Sequence, residues 1–469
     1  MSLSEIDYSI SLGIQWIKRT FIKRELGWAR SREDYEESKR ETGYGCNPCS
    51  TAESVEILAY LGEPLHSEFI RKGLAWFILN QDKWLEQRKS VDFLIWALHA
   101  LRLSNSKIAS NLLDKGILRI KKYQITDPKE PSLKNLIVED AVFPQPKKEP
   151  LKVKKWGLYS TALTIKLYAK LLTQFHLEHE IKLLKEPLLH NYNRKEKGWP
   201  IYPVKIAEEQ NVENPVDVFY TALIVDSFLD SEEPLSSIYV SEPLQMIKDK
   251  QLKSGGWSGI WPQKEHGIET KYGDTETTSQ VIVTLLKSGV PPDSKLVRDG
   301  IQFILGNQVR EEECPDFGGF CLFRKEELDT VYNFSTFMAL MALDFYKCML
   351  QYAESVKKAR IKERLETYEY ATLAKQIVLR RMNIENNLPS FFINHMKTKG
   401  HTRRLRILKH IDKNGPVLIR EFRKDWAQKE KVDRGTINND IQYLMDWQVV
   451  TILKENANEY LWTLYDIKE

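Results

Sequence analysis

A mainly α-helical chain, with six helical hairpins closed into a ring and a small α+β domain behind a helical connector, is predicted by three observations on these 469 residues. An aromatic residue beside a turn recurs at Trp28, Trp84, Trp156, Trp199, Trp257 and Phe320. Each is followed by an apolar helix, anchored at Thr51, Trp96, Thr161, Thr221, Thr278 and Thr336. After Leu350 the beat stops and the residue pattern changes. Recurrence of this kind marks stacked supersecondary units, none of which can bury its apolar face alone.

The first helix of each hairpin has one dry stripe, as Phe69, Leu74, Phe77 and Ile78 show against Glu68, Arg71 and Lys72. It reads as an outer helix. The second is apolar nearly all round, as in TALTIKLYAKLL from Thr161 and VIVTLL from Val281, and reads as an inner helix covered by neighbours on several sides. An open stack would need polar caps at both ends, whereas a closed ring buries its end faces against each other.

Composition agrees with a folded interior. Forty-two per cent hydrophobic residues with 12 Trp, 20 Tyr and 18 Phe exclude a disordered chain. The longest apolar runs, such as Phe93 to Leu98, fall far short of the ~18 to 20 residues of a membrane span, and MSLSEIDYSI lacks a signal-peptide layout. No membrane association is expected, and the cytoplasm is the expected location. Cys46, Cys49, Cys314, Cys321 and Cys348 form no second CxxC, which speaks for a reducing compartment and against a four-thiolate zinc site.

The stretches GLAWFILNQDKW (Gly73 to Trp84), PLQMIKDKQLKSGGW (Pro243 to Trp257) and GIQFILGNQVREEECPDFGGF (Gly300 to Phe320) resemble the Gln-then-Gly-Trp repeat of the terpenoid cyclase and protein prenyltransferase superfamily. The resemblance runs from about Ser4 to Leu350 and implies an (α/α)6 toroid over residues 1–350. In enzymes of that superfamily the reaction chamber is the hollow between inner helices, so the inner-helix N-termini are candidate sites. Asp92, Asp217, Asp274 and Asp329 fall there and would ring one mouth of the cavity, either as helix caps or as ligands for a cationic group.

The chemistry the superfamily would bring is incomplete in this sequence. The segment Asp274-Thr275-Glu276-Thr277-Thr278 resembles the Asp-x-Asp-Asp-Thr acid of class II terpene cyclases, with Thr277 replacing a carboxylate needed for a strong proton donor. That leaves Asp274 and Glu276 as weak catalytic candidates. No inner helix offers the Asp-x-Cys of a prenyltransferase zinc site, and Gly45-Cys46-Asn47-Pro48-Cys49 lacks the Gln of a thioester. Phosphate-loop, nucleophile-elbow and zinc-protease motifs are missing. Trp199, Tyr202, Trp257 and Trp261 could line a lipid or prenyl pocket but read better as loop packing. No metal or cofactor is expected.

Residues 351–396 read as a charged helical connector. From residue 397 to 469, three helices and the strands VVTILK and YLWTLY resemble a winged helix-turn-helix domain, with GTINNDIQYLMDWQVVTIL close to its third-helix and wing pattern. Between Lys397 and Arg434 there are 13 basic and five acidic residues, a balance above the +4 of the whole chain. Such concentration is what phosphate contact requires. The resemblance implies nucleic-acid contact through Arg403, Arg404, Arg406, Arg434, Thr436, Asn438, Asn439 and Gln442.

The expected function is therefore a non-catalytic adaptor, with the toroid as a platform for a ligand or for other protein subunits and the C-terminal domain bound to DNA. Two alternatives stand beside it. The toroid would be an enzyme or sensor for an isoprenoid or other hydrophobic ligand, or the winged helix would dock proteins only.

Overall fold

Each hairpin pairs an amphipathic outer helix with a buried inner one. In chain order α1 (Leu3–Arg19) pairs with α2 (Pro48–Tyr60), α3 (Glu68–Leu79) with α4 (Val91–Leu101), and α5 (Lys107–Lys122) with α6 (Gly157–Phe175). Then α7 (Glu178–His190), followed by a short α8 (Val204–Gln210), pairs with α9 (Val218–Asp230). The last two pairs are α10 (Ile238–Asp249) with α11 (Thr275–Lys287), and α12 (Lys295–Gly306) with α13 (Asn333–Glu363). The computed structural model describes residues 2–31, 46–81, 84–85, 91–104, 106–125, 132–138, 157–260, 272–323, 331–363, 407, 410, 417–446, 450–455 and 458–463. The chain divides into two units, Met1–Leu350 and Gln351–Glu469.

The sequence patterns explain which helix lies inside. In α12 the buried residues are Val297, Gly300, Ile301, Ile304 and Leu305, a single stripe at helical spacing. In α11 every residue from Thr275 to Lys287 is buried. Inner helices pack in sequence, α2 on α4, α4 on α6, α6 on α9 and α9 on α11. The last hairpin closes the ring on the first. Asn333 of α13 donates its Nδ2 to Ser54 Oγ of α2 at 2.8 Å, and Ser335 donates its Oγ to Glu276 Oε1 of α11 at 2.8 Å. On the outer side Gln308 Nε2 donates to the Ser9 carbonyl at 2.8 Å. The sixth and first hairpins also meet where α1 and α13 pack: a Cβ on Gly13 would lie 2.7 Å from Leu340. The fold is a closed (α/α)6 toroid.

One hydrogen-bonded unit repeats from hairpin to hairpin. The main-chain N–H of Trp28 donates to Thr51 Oγ1 at 3.1 Å, Trp199 to Thr221 at 3.0 Å, Trp257 to Thr278 at 2.9 Å, and Phe320 to Thr336 at 3.1 Å. In three of them the hydroxyl also donates to the same aromatic's carbonyl at 3.4 Å. The indole N–H groups of Trp28, Trp199 and Trp257 donate to Ile17, Leu188 and Ile247 carbonyls near the outer-helix ends at 2.8, 2.6 and 2.7 Å. Each tryptophan thus fastens an inner helix to its outer partner.

Two expected repeat positions differ. In the third hairpin Ile137 donates its N–H to Thr161 Oγ1 at 3.0 Å, taking the place expected of Trp156, which lies outside the described residues. The bond is made by backbone, so an aliphatic residue can hold the register. In the second hairpin Trp84 keeps its indole bond, to the Phe77 carbonyl at 2.8 Å, but Trp96 is no counterpart of the threonines; its ring packs against Phe334 and Phe337 of α13.

In the second unit β1 (Val417–Leu418), α14 (Ile419–Glu430), α15 (Arg434–Asp446), β2 (Val450–Glu455) and β3 (Asn458–Thr463) form two helices beside an antiparallel sheet of order β1-β3-β2. Val417 faces Leu461 and Val450 faces Thr463 across the ladder. Ile419, Phe422 and Trp426 of α14 and Ile437 and Ile441 of α15 supply the buried side chains. The helix expected from His401 falls almost wholly outside the described residues. No helix among the described residues is long and apolar enough to cross a membrane.

Replacing Thr278 by Val should lower stability by about 1–3 kcal/mol in denaturant unfolding, since the Trp257 N–H would be left buried without an acceptor. Thr278→Ser should recover most of the loss. Equal stability of Thr278→Val and the native chain would show that the hydroxyl does not fasten the repeat.

Candidate functional site

The sequence places short polar residues at the inner-helix starts, where backbone N–H groups lack intrahelical acceptors. Asn47 Oδ1 accepts from Ser50 N–H at 2.8 Å, Asp217 Oδ1 from Tyr220 at 2.8 Å and Asp274 Oδ1 from Thr277 at 2.6 Å. The other oxygens of Asp217 and Asp274 accept from Ile260 and Gly259 N–H at 2.6 and 2.9 Å. These two carboxyl groups hold the loop after Trp257 to the starts of α9 and α11. Burial pushes Asp274 up to about 7, against the pull of its N–H donors. Asp92 lies inside the first turn of α4, half-buried, and accepts from Ser160 Oγ at 2.5 Å. Asp329 lies outside the described residues.

Inside the ring a different pair of acids comes together. The helix α2 reads PCSTAESVEILAY, and all residues from Ser50 to Ala59 are buried, the acids Glu53 and Glu56 included. Glu53 is 3% exposed, and its Oε2 has no hydrogen-bond partner among the described residues. Burial, reinforced by the negative charge of Glu276, raises Glu53 to about 8 despite the opposing Arg30. Glu53 therefore carries a proton at neutral pH. Glu276, itself 5% exposed, accepts the Ser335 hydroxyl described above.

Thiol and phenol groups surround the acids without adding charge. Burial, with Glu53 and Asp92 next in effect, raises Cys49 well above its usual range. Burial and Asp92 do the same to Tyr159, which accepts a hydrogen bond from Trp96. Trp96 lies 6.2 Å from Phe334 and 5.6 Å from Phe337, and the latter two stack. Since α4 and α13 flank α2 on opposite sides, these rings meet across the interior. Tyr159 stacks on Phe219 at 6.3 Å, extending the aromatic wall to α6 and α9.

One to two turns further along the inner helices the acids are neutralised by cations. Arg102 and Lys170 contact Glu56 at 2.7 and 2.8 Å, and His99 Nδ1 lies 3.6 Å away. Lys166 pairs with Asp226, while Lys287 bridges Asp226 and Asp230 at 2.6 Å each. Burial alone would raise Glu56, but Lys170, His99 and Arg102 together hold it well below the usual carboxylate range. Burial lowers His99 to about 4 and Lys170 to about 8. The belt links α2, α4, α6, α9 and α11.

Glu276 was among the sequence candidates, and it lies beside Glu53, whereas Asp274 serves as a cap. Glu53 was not. The available signal was a glutamate pair, Glu53 and Glu56, in a helix that must be buried. In the second unit Arg434, Asn438, Asn439 and Gln442 are exposed on α15. Thr436 is engaged locally, its N–H donating to Asp433 Oδ1 at 2.9 Å and its hydroxyl to Oδ2 at 2.5 Å. Arg403, Arg404 and Arg406 lie outside the described residues. Among the described residues no group of His, Cys, Asp and Glu is placed to hold a metal ion.

The chain matches no protein-family model and no curated protein. Among solved structures it is similar to a type II terpene cyclase from Scytonema, at 13% identity and a TM-score of 0.47 over 74% of this chain and 100% of that one. It is also similar to an alpha-1,6-mannanase of Salegentibacter, at 8% identity and a TM-score of 0.47 over 73% and 99% of the two chains. A family 88 glycosyl hydrolase from Bacteroides vulgatus matches at 10% identity and a TM-score of 0.47 over 75% and 99%. The names of these matched structures are those of enzymes, against the non-catalytic adaptor expected from the sequence.

Glu53 should make stability fall with rising pH. Its folded value near 8 lies above its ordinary 4.5, so across that window the folded chain keeps a proton the unfolded chain has lost. Glu53→Gln removes this linkage, and its melting temperature relative to the native chain should rise steadily from pH 5 to pH 8. A constant difference across that range would contradict the assignment.

Proposed function

We propose that the toroid is an enzyme in which Glu53 transfers a proton to a hydrophobic, isoprenoid-like substrate held in the ring interior. The observation that carries this reading is the buried Glu53 carboxyl, held protonated by burial and by the charge of Glu276 and acting on the buried Tyr159, with its Oε2 unpartnered among the described residues. A carboxylic acid with a value near 8 is matched to proton exchange with a heteroatom at neutral pH and is a poor donor to an unactivated carbon–carbon double bond. The acceptor would thus be an oxygen on the substrate. Glu53 releases its proton as that oxygen's bond to carbon breaks, and the Glu276 carboxylate stabilises the positive charge that develops. Water then forms the new bond to the cationic carbon and gives its proton to the Glu53 carboxylate, so that the net reaction is hydrolysis to two hydroxyl products, or to an acid and an alcohol from an ester.

A panel of prenyl esters, prenyl ethers and aryl glycosides would reveal the substrate. On it Glu53→Gln should lower kcat by roughly 10²–10⁴-fold while leaving the fold intact. Asp274→Asn should keep most activity, because capping needs only an acceptor and Asn caps about as well as Asp. Native turnover in Glu53→Gln would end the proposal.

For the second unit we infer a winged-helix domain, residues 397–469, that contacts duplex DNA. Arg434, Asn438 and Gln442 recur every four residues on the exposed face of α15, opposite the buried Ile437, Asp440 and Ile441. Asp440, being buried, takes no part in that exposed face. Titration of labelled duplexes with the full chain should show affinity falling steeply with salt. Asn438→Ala and Gln442→Ala should blur discrimination between sequences and leave the salt slope nearly unchanged. Absence of binding at low salt would reject this reading and favour protein docking.

A further inference from the structure

Two buried acceptor oxygens on neighbouring inner helices have no hydrogen-bond donor among the described residues: Glu53 Oε2 on α2 and Asn333 Oδ1 on α13. Both residues are almost inaccessible, at 3% and 1% exposure. They belong to one locality, since the Asn333 amide donates to Ser54, the residue after Glu53. Elsewhere in the ring the fold supplies its acids with counter-charges: Glu56 has Arg102 and Lys170, and Asp226 has Lys166 and Lys287. The cation acting on Glu53 is Arg30, an exposed side chain whose guanidinium rests 5.2 Å over the Tyr332 ring.

The geometry points to a binding site for an organic ammonium ion, the primary amine head of an alkyl chain, between Glu53 and Asn333. An ammonium group brings three N–H donors for acceptors that lack one, together with a positive charge placed directly against the buried acid, which Arg30 supplies only from the exposed surface. The half-buried ring of Phe334 and the faces of Trp96 and Tyr159 suit both the alkyl part and the cation, which is drawn to the electron-rich face of an aromatic ring. A neutral alcohol of the same length brings one donor and no charge.

Charge makes the binding proton-linked. Glu276 from α11, Glu56 from its own helix and Arg30 from the segment after α1 act on Glu53, which in turn acts, together with Asp92 from α4, on Cys49 and on Tyr159 from α6. Cys49 and Tyr159 keep their protons throughout the neutral range. Glu53 is then the group that must lose one for a cation to be held best, so affinity should rise about tenfold per pH unit until Glu53 titrates near 8.

The site depends on the placement of Glu53 and not on its catalytic role, so the test is free of turnover. Hexylammonium and 1-hexanol are titrated calorimetrically into the full chain at pH 6 and pH 7, in buffers of different ionisation enthalpy. The ammonium ion should bind at least tenfold more tightly than the alcohol at pH 7, with release of close to one proton, and about tenfold more tightly at pH 7 than at pH 6. Glu53→Gln, which keeps the shape of the neutral acid, should abolish the preference and the proton release while leaving hexanol binding unchanged. Asn333→Asp, a change of one atom, should strengthen ammonium binding. Equal affinity for the two ligands, binding of neither, or a preference that survives Glu53→Gln would each overturn the inference. If Glu53→Gln loses turnover but keeps the ammonium preference, the site fails and the proton-transfer reading stands.

Discussion

The bond between a threonine hydroxyl on an inner helix and the backbone of the residue in the preceding turn sets the geometry on which the rest of the ring depends. It fixes where five of the six inner helices begin, while in three of those hairpins an indole N–H fixes the distance to the outer helix. Because the unit recurs, the inner-helix N-termini are brought to one end of the ring. Side chains one to five residues beyond those starts, among them Cys49, Glu53, Asp92, Tyr159 and Glu276, are thereby gathered from four different helices.

The interior shows two ways of keeping acids out of water. Along the inner helices Glu56 and Asp226 are ionised and matched by lysine and arginine, an arrangement whose removal by halves would leave a buried charge without compensation. Nearer the helix starts Glu53 is kept neutral by its proton. The first arrangement is electrostatically complete and holds five helices together. The second leaves a group that can exchange a proton, which is the property a reaction or a cationic ligand can use.

The toroid was legible in the sequence because both of its signals are local and repeated. A stripe such as Val297, Ile301 and Ile304 on α12 declares an outer helix, and the unbroken burial of α11 is written in its apolar and small hydroxyl residues. The third turn was misplaced because the repeated contact there is made by the N–H of Ile137, and a main-chain donor leaves no trace in side-chain pattern. The site was harder to read. Sequence pointed to acids at helix starts, where Asp217 and Asp274 act as caps, but not to Glu53, because its partner Glu276 lies more than two hundred residues away on α11. The motif of class II cyclases places its carboxylates in one run, whereas this ring assembles its acids from separate helices.

The protonation state of Glu53 in the folded chain is the point on which the account rests. The carbon-13 shift of its side-chain carboxyl, assigned by comparison with Glu53→Gln, reads that state directly. The account requires a neutral carboxylic acid at pH 6 and pH 7 and a titration midpoint near 8. A carboxylate shift already present at pH 6 would contradict it.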